Sequence, residues 1–166
     1  MATAQDIRRY RKNLLSEHEA GTLYECLASL EKNPTLADVY RRLAQTEASH
    51  AATWEAKLRQ AGAGVPVYRP GWRTKVLCML AARFGISFVL PTIAGIEQGA
   101  GSHYDGQPES EAAKMSAQER THARIFGHLA RTSGGLEGSE VARFEGRHRA
   151  AGGNALRAGV LGANDG

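Results

Sequence analysis

Glu47-Ala48-Ser49-His50-Ala51 and, further along the chain, Glu119-Arg120-Thr121-His122-Ala123 decide the fold. Both read E-x-[ST]-H-A. Each sets a carboxylate and an imidazole three positions apart, a spacing that puts the pair on one face of a helix. A second motif also occurs twice: Glu17-His18-Glu19-Ala20-Gly21-Thr22-Leu23-Tyr24 and Glu97-Gln98-Gly99-Ala100-Gly101-Ser102-His103-Tyr104, both E-x-x-A-G-[ST]-x-Y. The chain is therefore two related helical hairpins, each carrying one motif of each kind.

Around each motif the apolar residues step by three and four. Tyr10, Leu14, Glu17, Gly21 and Tyr24 form one stripe, and Tyr40, Leu43, Glu47, His50 and Trp54 the second. Leu90, Ile93, Glu97, Gly101 and Tyr104 form the third, and Met115, Glu119, His122 and Phe126 the fourth. Every motif glutamate thus lies in a stripe that must face a core. Four unpaired carboxylates there would repel one another and resist desolvation. Divalent cations remove that conflict. One glutamate from each of two helices plus a Glu-x-x-His pair from each of the other two is the ligand set of a two-metal bundle site. Glu17, Glu47, His50, Glu97, Glu119 and His122 supply it. Two iron ions are the expected cofactor; carboxylate and imidazole also suit manganese or zinc. Gly21 and Gly101 are expected to leave room beside the site. Tyr24 and Tyr104 either hydrogen-bond the ligand carboxylates or carry electrons, with simple core packing the alternative. His18, His103, His128 and His148 lack the partner pattern and read as surface or hydrogen-bond-satisfied histidines.

The pattern predicts helices over about 6–32, 35–61, 71–103 and 109–131, with Thr35 capping the second and a bend in the third near Gly85 or Pro91. A shorter fifth helix is expected over 136–151, before a glycine-rich tail. Nothing alternates apolar and polar long enough for a strand. The fold class is all-α: an up-down-up-down four-helix bundle with a short fifth helix. Its domains are 1–135, the di-metal bundle, and 136–166, a C-terminal helix and tail.

Length and composition fit this reading. The chain has 166 residues, 42% of them hydrophobic and 23% charged, as in a single folded domain. The net charge is +4, with basic residues gathered at Arg8–Lys12 and at Arg143–Arg157, but no interleaved aromatics suggest a nucleic-acid groove. Cys26 and Cys78 sit in separate apolar runs and read as buried free thiols of a reducing compartment. The N-terminus is polar and lacks the pattern of a signal peptide, which points to the cytoplasm. Residues 76–96 are apolar enough to resemble a membrane span, yet Arg83 and Pro91 favour a buried core helix.

Across about residues 5–135 the chain resembles the rubrerythrin branch of the ferritin-like superfamily. The resemblance implies ferroxidase or peroxidase-type chemistry at a non-haem di-iron site, with oxygen or peroxide as partner. It carries over to Glu17, Glu47, His50, Glu97, Glu119 and His122. Ala100 stands where rubrerythrin has a further glutamate, and no four-cysteine iron domain is present. Residues 155–166, ALRAGVLGANDG, resemble the opening of the membrane domain of vacuolar iron transporter-type proteins. That likeness implies an erythrin domain fused to a transporter of iron or manganese, lying on the cytoplasmic face. A non-catalytic metal-sensing module is the alternative function. Trp72, Phe84 and Phe88 give the third helix more apolar surface than one bundle hides, so a homodimer is expected.

Overall fold

The fold was obtained as a computed structural model, which describes residues 2–100, 107 and 110–132. Five helices make up these residues: α1 (Ala4–Leu30), α2 (Pro34–Gln60), α3 (Trp72–Phe84), α4 (Ile86–Ala100) and α5 (Ser110–Thr132). No strand occurs among the described residues. α1 packs along α2, and α4 along α5; α3 leads into α4 and lies against α1. These are the two expected hairpins, with α3 and α4 together forming the third rod.

The ends of the first hairpin follow from local chemistry. Thr3 Oγ1 accepts from Asp6 N at 3.1 Å, and Asp6 Oδ2 accepts from Thr3 N at 2.8 Å. This reciprocal pair satisfies two donors that the first turn would leave bare. At the start of α2 the cap is Asn33, not Thr35. Asn33 Oδ1 accepts from Thr35 N at 2.9 Å, and Pro34 occupies the first helical position. Proline there loses nothing, because its missing N–H would have had no helical partner.

The third rod breaks at Gly85 and not at Pro91. Gly85 has φ 92° and ψ 157°, a conformation open in practice only to glycine. Pro91 sits inside α4. The apolar run from 76 to 96, expected as one bent core helix, is consequently two helices with one buried face each. Thr74 and Ala81 are buried on α3, and Val89, Leu90, Ile93 and Ala94 on α4. Trp72 (70% exposed), Met79 (60%), Phe84 (57%) and Phe88 (59%) face outward. No helix among the described residues is long and apolar enough to cross a membrane.

Cys26 and Cys78 are not free thiols. α3 crosses α1 where the two cysteines meet, 6.1 Å apart at Cα, and a disulfide joins them. Which helix faces which at that point is a tertiary fact that neither local run contains. The expected fifth helix (136–151), the basic cluster at 143–157 and the tail at 155–166 all lie outside the described residues.

The buried side chains divide into two clusters. One gathers Leu23, Tyr24, Leu27, Val39, Tyr40, Leu43, Ile93, Phe126 and Leu129. The other gathers Tyr10, Leu14, Ala51, Trp54, Leu58 and Met115. Along α1, α2 and α5 the motif residues fall between the two. The bundle thus has an apolar layer on either side of a polar one.

Candidate metal centre

All six expected ligand residues are buried: Glu17 and Glu97 from α1 and α4, Glu47 and His50 from α2, Glu119 and His122 from α5. Their donor atoms form two groups. Glu17, Glu47, His50 and Glu119 make one; Glu97, Glu119 and His122 make the other. Within each group the atoms lie within 4.8 Å of one another.

Glu47 and Glu119 occupy the middle. Glu47 Oε1 lies 2.9 Å from His122 Nδ1, and its Oε2 lies 3.3 Å from His50 Nδ1, so one carboxylate spans both imidazoles. Glu119 belongs to both groups, and its Oε1 is 3.4 Å from His50 Nδ1. Glu17 Oε2 completes the surround of His50 Nδ1 at 3.6 Å. These approaches lack hydrogen-bond alignment. Both oxygens of Glu47, Oε2 of Glu97, Oε1 of Glu119 and Nδ1 of both histidines are buried without a hydrogen-bond partner. Buried polar atoms are nearly always satisfied, so six orphans converging on one layer need an explanation. A pair of cations between them is the one that the donor chemistry fits: hard oxygens, one imidazole nitrogen per group, and negative charge to balance.

The electrostatics point the same way. Burial pushes the Glu47 carboxyl up to about 8 and the Glu97 carboxyl up to about 7, and it raises Glu119. Burial alone would depress His50, but Glu119, Glu17 and Glu47 together push it up to about 12. His122 goes the other way, because its burial outweighs the pull of Glu119 and Glu97. Without a cation, protons must stand in for positive charge; His50 takes one and the carboxylates compete for others.

Neighbouring side chains hold the candidate ligands in place. The Trp54 indole, fully buried, donates to Glu17 Oε1 at 3.3 Å and stacks on Tyr10 with ring centres 5.7 Å apart. Gln118 Oε1 lies 2.7 Å from His50 Nε2, on the side of the ring away from the carboxylates. Neither bond was anticipated from sequence, although Gln118 directly precedes Glu119 in the motif and Trp54 lies one turn beyond His50. Tyr24 is fully buried against Phe126, at 5.2 Å, and edge-on to His122, at 6.1 Å. Burial and then the Glu97 and Glu47 charges drive its hydroxyl far above the ordinary range. That hydroxyl favours the charged form of Glu97 without forming a well-aligned hydrogen bond. Tyr104 and Gly101 lie outside the described residues. His18 stacks on Tyr68 at 4.8 Å, away from the six.

Gly21 does not open space. A Cβ there would meet Glu47 Cβ at 3.4 Å and Ala44 O at 3.9 Å, so the glycine lets α1 approach α2 closely beside a candidate ligand.

Two cavities reach the layer from opposite sides. One of about 670 Å³ has Glu17, Glu97 and Glu119 on its wall, along with Leu23, Trp72, Leu77 and Ile96. At its edge Glu19 accepts from Gly71 N at 2.7 Å and from the Thr74 hydroxyl, tying the start of α3 to α1. The other, of about 600 Å³, reaches His50 and His122 between α2 and α5 past Arg42, Thr46, Gln118 and Thr121. The first is largely apolar; the second is lined about equally by polar and apolar surface, Leu43, Ala117 and Ile125 among its walls.

The family model described as ubiquinone biosynthesis protein COQ7 matches residues 8–111. This span includes Glu17, Glu47, His50 and Glu97 and stops short of Glu119 and His122. No curated protein matches the chain, and no solved structure does.

Proposed function

The chain belongs to the family of the ubiquinone biosynthesis protein COQ7, a ferritin-like di-iron carboxylate family, and from that premise we propose that it is an oxygen-dependent hydroxylase of an apolar ring compound in ubiquinone biosynthesis. The observation that carries this reading is the cluster of buried, unpartnered donor atoms on Glu47, His50, Glu97, Glu119 and His122, two of whose residues, Glu97 and Glu119, form part of the wall of a largely apolar cavity.

Glu17, Glu47, His50 and Glu119 would hold one iron, and Glu97, Glu119 and His122 the other. The irons, when bound, supply the redox chemistry by which one oxygen atom of dioxygen enters the ring and the other leaves as water, with two electrons and two protons from an external reductant. The remaining work belongs to the chain. Leu23, Trp72, Leu77 and Ile96 desolvate the ring and orient it towards the carboxylate side of the centre. The apolar layers on either side exclude water, which strengthens every charge interaction between them. Trp54 fixes one oxygen of Glu17, leaving the other for the metal.

A ferroxidase, the chemistry expected from the rubrerythrin resemblance, is the second reading. The mixed cleft that reaches the histidines favours it, since Thr46, Ser49, Gln118 and Thr121 offer an ion oxygen atoms along the way in. Anaerobic Fe(II) loading followed by oxygen separates the two. The hydroxylase consumes oxygen in proportion to an added short-chain methoxyquinol, which gains 16 mass units, one oxygen atom. The ferroxidase consumes oxygen in proportion to iron and leaves the quinol unchanged. Equal behaviour of wild type and a Glu47→Ala, Glu119→Ala double variant would sink both.

The exposed Trp72, Met79, Phe84 and Phe88 support a homodimer, which scattering mass tests. The likeness of residues 155–166 to a transporter opening is the support for a fused membrane domain at the cytoplasmic face, and sequencing the transcript beyond codon 166 tests it.

A further inference from the structure

We propose that Gln118 is a positioning residue for the metal centre: its side-chain carbonyl holds the Nε2–H of His50, so that Nδ1 is the nitrogen presented to the cation. The inference rests on the proposed ligand set and adds to it the residue that sets the tautomer of one ligand.

A neutral imidazole has one N–H, and the nitrogen carrying it cannot ligate. His50 Nδ1 faces Glu47, Glu119 and Glu17 at 3.3, 3.4 and 3.6 Å, while Nε2 meets Gln118 Oε1 at 2.7 Å. An amide oxygen only accepts. With Gln118 in this orientation the proton stays on Nε2, and Nδ1 is the site that gives up its proton to a metal. The same bond stops the ring from turning its carbon edge towards the carboxylates.

Two features make Gln118 more than a convenient neighbour. It precedes Glu119 directly, so a single turn of α5 delivers a carboxylate to one side of His50 and the anchor to the other. Any shift in α5 register would move both together. An amide also orients the ring without adding charge, where a carboxylate anchor would place a fifth acid beside four that already resist ionisation. Gln118 is exposed where it lines the cleft between α2 and α5, so water can partly replace it and its loss is survivable.

The test uses the full apo-protein titrated anaerobically with Co(II), whose visible bands report ligand type and geometry. Wild type is expected to take up two ions. Gln118→Leu is expected to weaken one of them by about 10- to 100-fold and to change its bands. Gln118→Glu, whose ionised carboxylate likewise only accepts from Nε2, restores the wild-type bands and at least the wild-type affinity, its extra charge being a cost to the metal-free layer alone. Gln45→Leu, the same replacement elsewhere in the cleft, leaves both ions as in wild type. Nitrogen NMR of the zinc-loaded wild type should show His50 protonated at Nε2 and metallated at Nδ1; this needs no variant to fold.

An unchanged cobalt titration for Gln118→Leu overturns the inference and leaves the ligand set standing. So does a Gln118→Glu protein as weak as Gln118→Leu, which would mean that the amide donates. A merely structural tie would lower the melting temperature of the apo-protein and leave the cobalt bands alone. If wild type binds no cobalt, the ligand set itself fails and this role with it.

Discussion

The two hairpins carry the same pair of motifs but are built to different standards. In the first, α1 and α2 are unbroken helices of 27 residues each, with side-chain caps at Thr3 and Asn33. In the second, the rod facing α5 is split at Gly85 into helices of 13 and 15 residues, and α3 begins at Gly71 with no cap from its own side chain. Glu19 of α1 supplies acceptors there instead. The first hairpin provides a rigid frame for the candidate ligands Glu17, Glu47 and His50, with Trp54 behind them. The second needs only Glu97 from α4 to complete its share with α5, so α3 is free to wall the apolar cavity. A duplicated motif has thus been kept for the metal while the helix around one copy was given to access.

The most severe way to break this comparison is to remove one central carboxylate from each hairpin. Glu47→Ala with Glu119→Ala should reduce bound iron from two ions per chain to none, read by elemental analysis. An ion that remained would show that the other ligands suffice without either central carboxylate. The same double variant should be more stable than wild type when both are metal-free near neutral pH. It lacks two buried acids whose charge the wild type can accommodate only with cations.

Much of this architecture was legible in the sequence because helical register is a local property. Glu47 and His50 share a face whatever surrounds them, and four apolar stripes each containing a glutamate can close only on a common layer. The helix ends were also near their expected places, since capping depends on a few adjacent residues. What could not be read were relations between helices. Gln118 anchors His50 across the α2–α5 seam, Trp54 reaches back to Glu17, and Cys26 finds Cys78 because α3 crosses α1 at that height. Gly85 and Pro91 were equal candidates for the break. The structure chose the glycine because a positive φ suits it alone, whereas a proline in α4 forfeits about one hydrogen bond.

A pH series sharpens the contrast between empty and filled layers. Glu47 and Glu97, one from each hairpin, are pushed by burial to about 8 and about 7, above the ordinary value they regain on unfolding. Groups raised in the fold favour it fully while both states hold the proton, below the ordinary carboxylate range. The benefit is lost as pH rises through the folded values, because the unfolded chain has already released its protons. His50, pushed up to about 12, acts in the same direction from its ordinary value upward. The metal-free protein should therefore melt at progressively lower temperature from about pH 5 to about pH 8. Metal affinity should rise over the same range, because each cation displaces these protons. The gap in melting temperature between loaded and empty protein should widen with pH; a constant gap would show that the layer does not hold protons in the metal's place.

Gly85→Ala tests whether the break in the second hairpin is a matter of backbone alone. A Cβ at this position meets no atom within 4 Å, so sterics from neighbours contribute nothing. The conformation itself should cost about 1–3 kcal/mol for any residue with a Cβ. A lower melting temperature with unchanged iron content is the expected result. Loss of iron would mean that the break also sets the position of Glu97.

Gly21→Ala, in the first hairpin, should do nearly the reverse. Its backbone is ordinary helix, where alanine gains about 0.5–1 kcal/mol over glycine. The new methyl would stand 3.4 Å from Glu47 Cβ, tight enough that one of them must yield by a few tenths of an ångström. The propensity gain and the crowding oppose each other, and the melting temperature should scarcely move. Glu47 spans both imidazoles, however, so a small displacement of its stem alters both metal environments at once. Shifted Co(II) bands at constant melting temperature are expected. A protein destabilised like Gly85→Ala, with wild-type bands, would show that Gly21 serves only helix packing and that the first hairpin is no more closely fitted to the metal than the second.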